Sequence, residues 1–284
     1  MYQNFHTHTR FSDGSDDPEK YVETAILQGL SALGFSDHSP LPFENTFALR
    51  ENQVPIYCDL VQSIKFNLQI ANCKLQIFLG MEADYIPGMG HPFSYFHENF
   101  PLDYLIGSVH LVRNGSASDL WFIDGSNPAT YDDGLTTLFG GDIRKGVTAY
   151  YRQINEMLST GKMDIIGHFD KIKMHNRGRF FSETEPWYTE LVDETLKLVR
   201  QSGTIIEVNT RGIYKKRSDS LFPGPAILRR IHDLNIPIVI SSDAHKPHEI
   251  SLLFRETEKL LFEIGFRDLM NLTPAGWETI PVTN

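Results

Sequence analysis

The sequence predicts an α/β protein, a barrel of seven parallel strands in one domain spanning residues 1–284. Three observations predict it: short runs rich in Ile, Val and Leu alternate with helical patterns, those runs number seven, and no linker divides them. Repetition of strand then helix makes parallel strands joined by right-handed crossovers. Barrels of this class run past about 250 residues around a single core.

The elements follow in order. Asn4 to His8 is a short first strand, and Asp17-Pro18 has the form of an N-cap with proline in the first helical turn, leading into EKYVETAILQG. Ser31 to His38 is the second strand, after which Tyr57, Leu60, Val61, Ile64 and Leu68 recur at helical spacing. Lys74 to Tyr85, Leu102 to His110 and Met163 to Asp170 lack polar alternation and read as strands buried on both faces. Val147, Tyr150, Tyr151, Ile154, Met157 and Leu158 mark the helix before the last of these. Glu185-Pro186 opens another helix, Gly203 to Asn209 is the sixth strand, and Gly224-Pro225 starts a helix with Ile227, Leu228, Ile231 and Leu234 on one face. Ile236 to His245 is the seventh strand. One connection, at about 112–146, is rich in Gly, Asp, Asn, Ser and Thr and longer than a usual βα loop. This insertion loop is expected to be a lid or a substrate-recognition segment.

Composition narrows the function. A hydrophobic fraction of 41% with 12% aromatics is globular, and no apolar run reaches the roughly 20 residues that a bilayer crossing needs. The start MYQNFHTHTR has no basic stretch before an apolar core, and Cys58 and Cys73 are the only cysteines, so a cytoplasmic protein without disulfides is expected. Two thiols are too few for a sulfur-rich zinc site. The net charge of −10 argues against nucleic acid as a partner. Two local stretches, Asp170 to Arg179 and Thr210 to Arg217, run against that balance with closely spaced Lys and Arg.

Residues able to bind a metal fall at the carboxyl ends of the predicted strands. His6 and His8 lie on the first, His38 ends the second, Glu82 follows the third, His110 the fourth and His168 the fifth, while Asp243 and His245 end the seventh. A parallel barrel assembles its active site at that end. His6 and His8 share one face of an extended segment because strand side chains repeat with period two. Asp13, in the turn SDG, joins the set. Six histidines and three carboxylates at one mouth are too costly to bury without cations to neutralise them. Imidazoles with carboxylates and no thiolate suit Zn, Mn or Fe, and the excess over four ligands implies more than one ion, with Glu82 the natural bridge. The remaining histidines, His91, His97, His175, His232 and His248, are expected to be surface or core residues.

Taken in order, FHTHTRFSDGS, GFSDHSP, GMEADYIPG, DYLIGSVH, IIGHFDKIK, IEVNTRG and VISSDAHKP resemble the polymerase and histidinol phosphatase (PHP) family, and within it the histidinol-phosphate phosphatases. The resemblance covers nearly the whole chain. It implies a distorted seven-stranded (β/α) barrel, similar to a TIM barrel, with three divalent metal ions at the strand ends. His6, His8, Glu82 and Asp243 would hold one ion, Glu82, His110 and His168 a second, and Asp13, His38 and His245 a third. Asp37 would orient an imidazole from behind. The implied reaction is hydrolysis of L-histidinol phosphate to histidinol and phosphate, in histidine biosynthesis, by metal-activated water. Glu82, Asp243 and His245 are the expected catalytic residues, with Asp243 or a water supplying the proton for the leaving alkoxide.

Arg211 and Lys173 stand where related phosphatases place basic phosphate ligands, and Lys171, Arg177 and Arg179 are neighbours that could substitute. Histidinol carries an amine and an imidazole, so Asp119, Trp121 and Asp124 in the long insertion are expected substrate contacts. A monomer or small homo-oligomer is expected. The amidohydrolase barrel also opens with His-x-His, but a glutamate in place of its bridging lysine and a late Asp-x-His pair disfavour amide hydrolysis. Another small phosphate ester or a nucleic-acid end remains the alternative substrate, and a non-catalytic metal-binding protein would show gaps in the ligand set.

Overall fold

The computed structural model describes residues 2–116 and 118–282. Strand and helix alternate as β1 (Gln3–Asn4), α1 (Pro18–Gln28), β2 (Ala32–Phe35), α2 (Val54–Ile70), β3 (Gln76–Asp84), α3 (Phe93–Asn99) and β4 (Tyr104–Ser108). An excursion follows: β5 (Leu111–Arg113), β6 (Leu120–Phe122) and α4 (Pro128–Phe139) precede α5 (Ile143–Thr160). The alternation resumes with β7 (Ile165–Ile166), α6 (Pro186–Ser202), β8 (Ile205–Asn209), a short α7 (Arg211–Tyr214), α8 (Pro225–Asp233), β9 (Ile238–Ser241) and α9 (Phe254–Ile264). Two last strands, β10 (Asp268–Thr273) and β11 (Gly276–Pro281), form an antiparallel hairpin that the sequence patterns do not announce.

The seven expected strands make one sheet, in the order β1-β2-β3-β4-β7-β8-β9, with every pair parallel. Beyond the strand ends a parallel bridge joins Thr7 to Ala244, where the amide of His8 donates to the Ala244 carbonyl at 2.8 Å. The sheet thus nearly closes into a barrel, and it closes at the carboxyl end. At the amino end the hairpin β10–β11 covers the opening: Gln3 donates to the Met270 carbonyl, and the indole N–H of Trp277 donates to Asp164. Among the described residues no helix is long and apolar enough to cross a membrane.

Period two sorts each strand. On β3, Ile77, Leu79, Met81 and Ala83 belong to the core between sheet and helices, whereas Phe78 packs in the barrel's own interior with Phe5, Tyr104, Ile165, Ile205 and Val239. Phe78, Gly80, Glu82 and Asp84 therefore climb the inner wall, apolar below and ionisable at the mouth. Tyr104 crosses that interior and donates to the carbonyls of Phe5 and Phe35. It fits because a Cβ on Gly34 or Gly80 would come within 2.3 Å of its ring or hydroxyl.

The insertion at 112–146 is a folded unit. β5 and β6 pair antiparallel, and Asn127 caps α4 by accepting from the amide of Ala129. Asp17 does occupy the cap position of α1, with Pro18 behind it, but makes no side-chain capping bond and pairs with Arg10 instead.

Candidate metal centre

Every expected ligand reaches the carboxyl end of the barrel. Four groups have ligand atoms all within 4.8 Å of one another: His8, Asp13, His38 and His245; His6, His8 and Asp243; Glu82, His110 and His168; and His38, Asp84 and His110. Glu82 stands between them. Its Oε2 lies 3.2 Å from His6 Nε2, 3.4 Å from His8 Nε2 and 3.1 Å from His38 Nδ1. Its Oε1 lies 3.1 Å from His168 Nε2 and 3.6 Å from His110 Nε2, and accepts from Ser108. His6 Nε2, both nitrogens of His8, His38 Nδ1 and Glu82 Oε2 are buried without a hydrogen bond. Each such orphan costs about 1–3 kcal/mol. Gathered around one point, they fit divalent cations.

The approach to these ligands is built by backbone as well as side chains. Gly14 lets the turn after β1 fold back, since a Cβ there would lie 2.1 Å from the carbonyl oxygen of His8. That turn presents Asp13 to His245, with Oδ2 at 3.1 Å from Nε2. Asp243 sits in the left-handed region at φ 52°, a conformation kept when surroundings enforce it.

Electrostatics follow from burial set against close opposite charges. Burial works against ionising Glu82, yet His6, His110 and His38 hold it well below its usual range. Asp243 is likewise held well below despite burial, by Arg211 and His6. For His110 the carboxylates Asp84 and Glu82 outweigh burial and raise it to about 10, whereas burial and the neighbouring His245 and His38 push His8 down to about 3.

Two carboxylates that sequence patterns gave no role complete the shell. Glu207 Oε1 lies 2.5 Å from His6 Nδ1, and Asp84 Oδ1 lies 2.8 Å from His110 Nδ1. Each fixes one ring nitrogen and leaves the other facing the centre. Asp84 is thereby engaged in orienting His110. The available signals were a charge on the inner face of an apolar strand for Glu207 and the same-face spacing from Glu82 for Asp84. Asp37, expected in that orienting role, touches no imidazole: its carboxylate accepts from the amides and hydroxyls of Thr9 and Ser12 and pins the turn that carries Asp13.

The structure brings two of the five basic candidates to the mouth and the other three elsewhere. Lys171 points into the mouth, 2.9 Å from Asp124 Oδ1 and 3.9 Å from Asp243 Oδ2, and Arg211 donates to the Asp243 carbonyl at 2.7 Å. Lys173, expected to hold phosphate, is buried elsewhere and paired with Asp170 at 2.7 Å and Glu183 at 3.4 Å. Arg177 binds the Lys216 carbonyl on the outer rim, and Arg179 pairs with Asp132. Of the three insertion residues expected to meet substrate, Asp124 reaches the centre, with Oδ2 at 3.6 Å from His110 Nε2. Lys171 and His110 overcome burial to hold it down to about 2. Trp121 is fully buried and donates to the Tyr131 carbonyl, and Asp119 bonds within the β5–β6 turn, so neither is placed to meet substrate. None of the four ligand groups among the described residues includes His91, His97, His175, His232 or His248.

Known proteins resemble this chain in sequence and in fold. A protein of Deinococcus radiodurans described as a probable histidinol-phosphatase is 29% identical over 92% of this chain and 93% of its own. The crystal structure of HisK from Listeria monocytogenes superposes with a TM-score of 0.79 at 22% identity, covering 90% of this chain and 99% of that one. Histidinol phosphate phosphatase from Lactococcus lactis, solved with zinc, L-histidinol and phosphate, gives 0.69 at 19% identity over 97% and 98%. The family model described as PHP domain matches residues 4–211, and the chain belongs to the PHP family.

Proposed function

We propose that this chain is a metal-dependent phosphomonoesterase whose substrate is L-histidinol phosphate. The observation that carries the reading is the cluster of unpartnered imidazole and carboxylate atoms facing one point beside Lys171 and Arg211. Three cations suit the donor set: His6, His8, Glu82 and Asp243 would hold one, Glu82, His110 and His168 another, and Asp13, His38 and His245 the third, with Glu82 shared. Zn, Mn and Fe all match these ligands. Bound there, they supply an activated water near neutral pH and neutralise phosphate oxygens.

The chain's own groups do the rest. Arg211 and Lys171 grip the phosphate from outside the cluster, the guanidinium in two directions and the ammonium as a point charge. Asp124, already between Lys171 and His110, is placed to meet the substrate amine once phosphate claims the lysine. Glu207 and Asp84 hold His6 and His110 in the ring orientation that metal binding requires. The likeness to the Deinococcus radiodurans protein, and the histidinol and phosphate bound in the Lactococcus lactis one, support the choice of ester.

The test is steady-state hydrolysis of L-histidinol phosphate against glycerol 3-phosphate, with metal content measured on the same sample. A clear preference for histidinol phosphate that disappears with the metal is expected. Equal rates on both esters would remove the substrate assignment, and full activity without metal would remove the mechanism.

A further inference from the structure

Two aromatic rings stand over the mouth on the side away from the basic groups. Phe47, between β2 and α2, meets His38 edge to face with centroids 5.4 Å apart, and lies nearly parallel to Phe122 at 6.0 Å and 17°. Phe122 ends β6, and the next residue, Ile123, donates its amide to the His110 carbonyl at 3.0 Å. Alternation along β6 sends Trp121 into the core and leaves Phe122 only partly buried, as is Phe47. Nothing in the ligand set or the phosphate grip uses either ring.

Their position polarises the mouth. His38, against which Phe47 packs, follows β2, whereas Lys171 and Arg211 follow β7 and β8, the two strands farthest from β2 around the nearly closed barrel. A phosphate drawn toward Lys171 and Arg211 leaves the alcohol portion of its ester facing the two phenyl rings. We propose that Phe47 and Phe122 form a specificity site for a planar ring on that alcohol, the imidazole when the ester is histidinol phosphate; this rests on the reading of the site given above. A ring laid against aromatic faces or edges changes affinity by about two- to tenfold beyond the area it buries.

The experiment compares wild type with Phe47→Leu and Phe122→Leu on three esters: L-histidinol phosphate, phenyl phosphate and glycerol 3-phosphate. Each Leu variant is expected to lose about five- to tenfold in kcat/KM on the two ring-bearing esters, chiefly through KM, and to stay within about twofold on glycerol 3-phosphate. Phe122→Tyr, which keeps the ring, should match wild type on all three. Phe47→Met and Phe122→Met repeat the comparison if a Leu variant loses its thermal transition. An equal loss on all three esters, or none on the ring-bearing pair, overturns the proposal. If wild type itself uses histidinol phosphate no better than glycerol 3-phosphate, the substrate assignment fails, and the phenyl phosphate arm still decides whether the pair reads a ring.

Discussion

The lower and upper halves of the barrel interior are made by the same strands and obey opposite rules. Below, Phe5, Phe78, Tyr104, Ile165, Ile205 and Val239 fill the space with carbon and are sealed by the carboxyl-terminal hairpin. Above, Glu82, His110, His168, Asp243 and their neighbours are equally shielded from water but leave polar atoms without partners. A few steps along β3, from Phe78 to Glu82, separate the two. One half gains free energy from being buried, and the other is tolerable only with cations. Substitutions should therefore divide into those that unfold the chain and those that silence it.

The strongest break is expected at the top. His110→Ala should lower kcat/KM by about a thousandfold and remove metal with it, while the urea midpoint of the metal-free chain falls little. An active His110→Ala with full metal content would collapse the distinction. At the bottom, Tyr104→Ala should cost about 3–5 kcal/mol in urea unfolding, because the ring's contacts and two carbonyl partners go together. Metal-site composition in the surviving folded fraction should stay that of wild type. Smaller effects sharpen the boundary. Glu207→Gln keeps the shape but weakens the grip on His6, and a fall of about 10–100-fold in metal affinity is expected by competition with a chelator. The two lysines give the finest comparison. Lys171→Ala should raise KM about tenfold with metal content unchanged, whereas Lys173→Ala should leave KM alone and reduce stability by about 2 kcal/mol through the unpaired Asp170.

Much of this was legible because strand periodicity and strand ends are local properties. His6 and His8 share a face by spacing alone, and each ligand from His38 onward lies at the end of an apolar run. What stayed hidden depends on direction rather than position. Lys171 and Lys173 lie in one tight turn after β7, and only the three-dimensional path shows that the first turns into the mouth and the second away from it. Trp121 and Phe122 pose the same difficulty, since alternation says that they part but not which faces inward. Glu207 was masked by the apolar residues beside it in GTIIEVN. The hairpin of β10 and β11 carries exposed residues on both faces and has no clean alternation to betray it.

The bridge between Thr7 and Ala244 also sets a schedule. Its two sides follow β1 and β9, the first and last strands of the sheet, so the closing contact joins segments far apart in sequence and the first is made long before the second. His6 and His8 emerge early and wait for Asp243 and His245. Until β9 arrives, Glu82, His110 and His168 can gather without the other ligand sets, and the nascent chain holds an incomplete centre. With the ligand sets proposed above, full metal loading reports that synthesis has passed the seventh strand and that the barrel has met its own beginning.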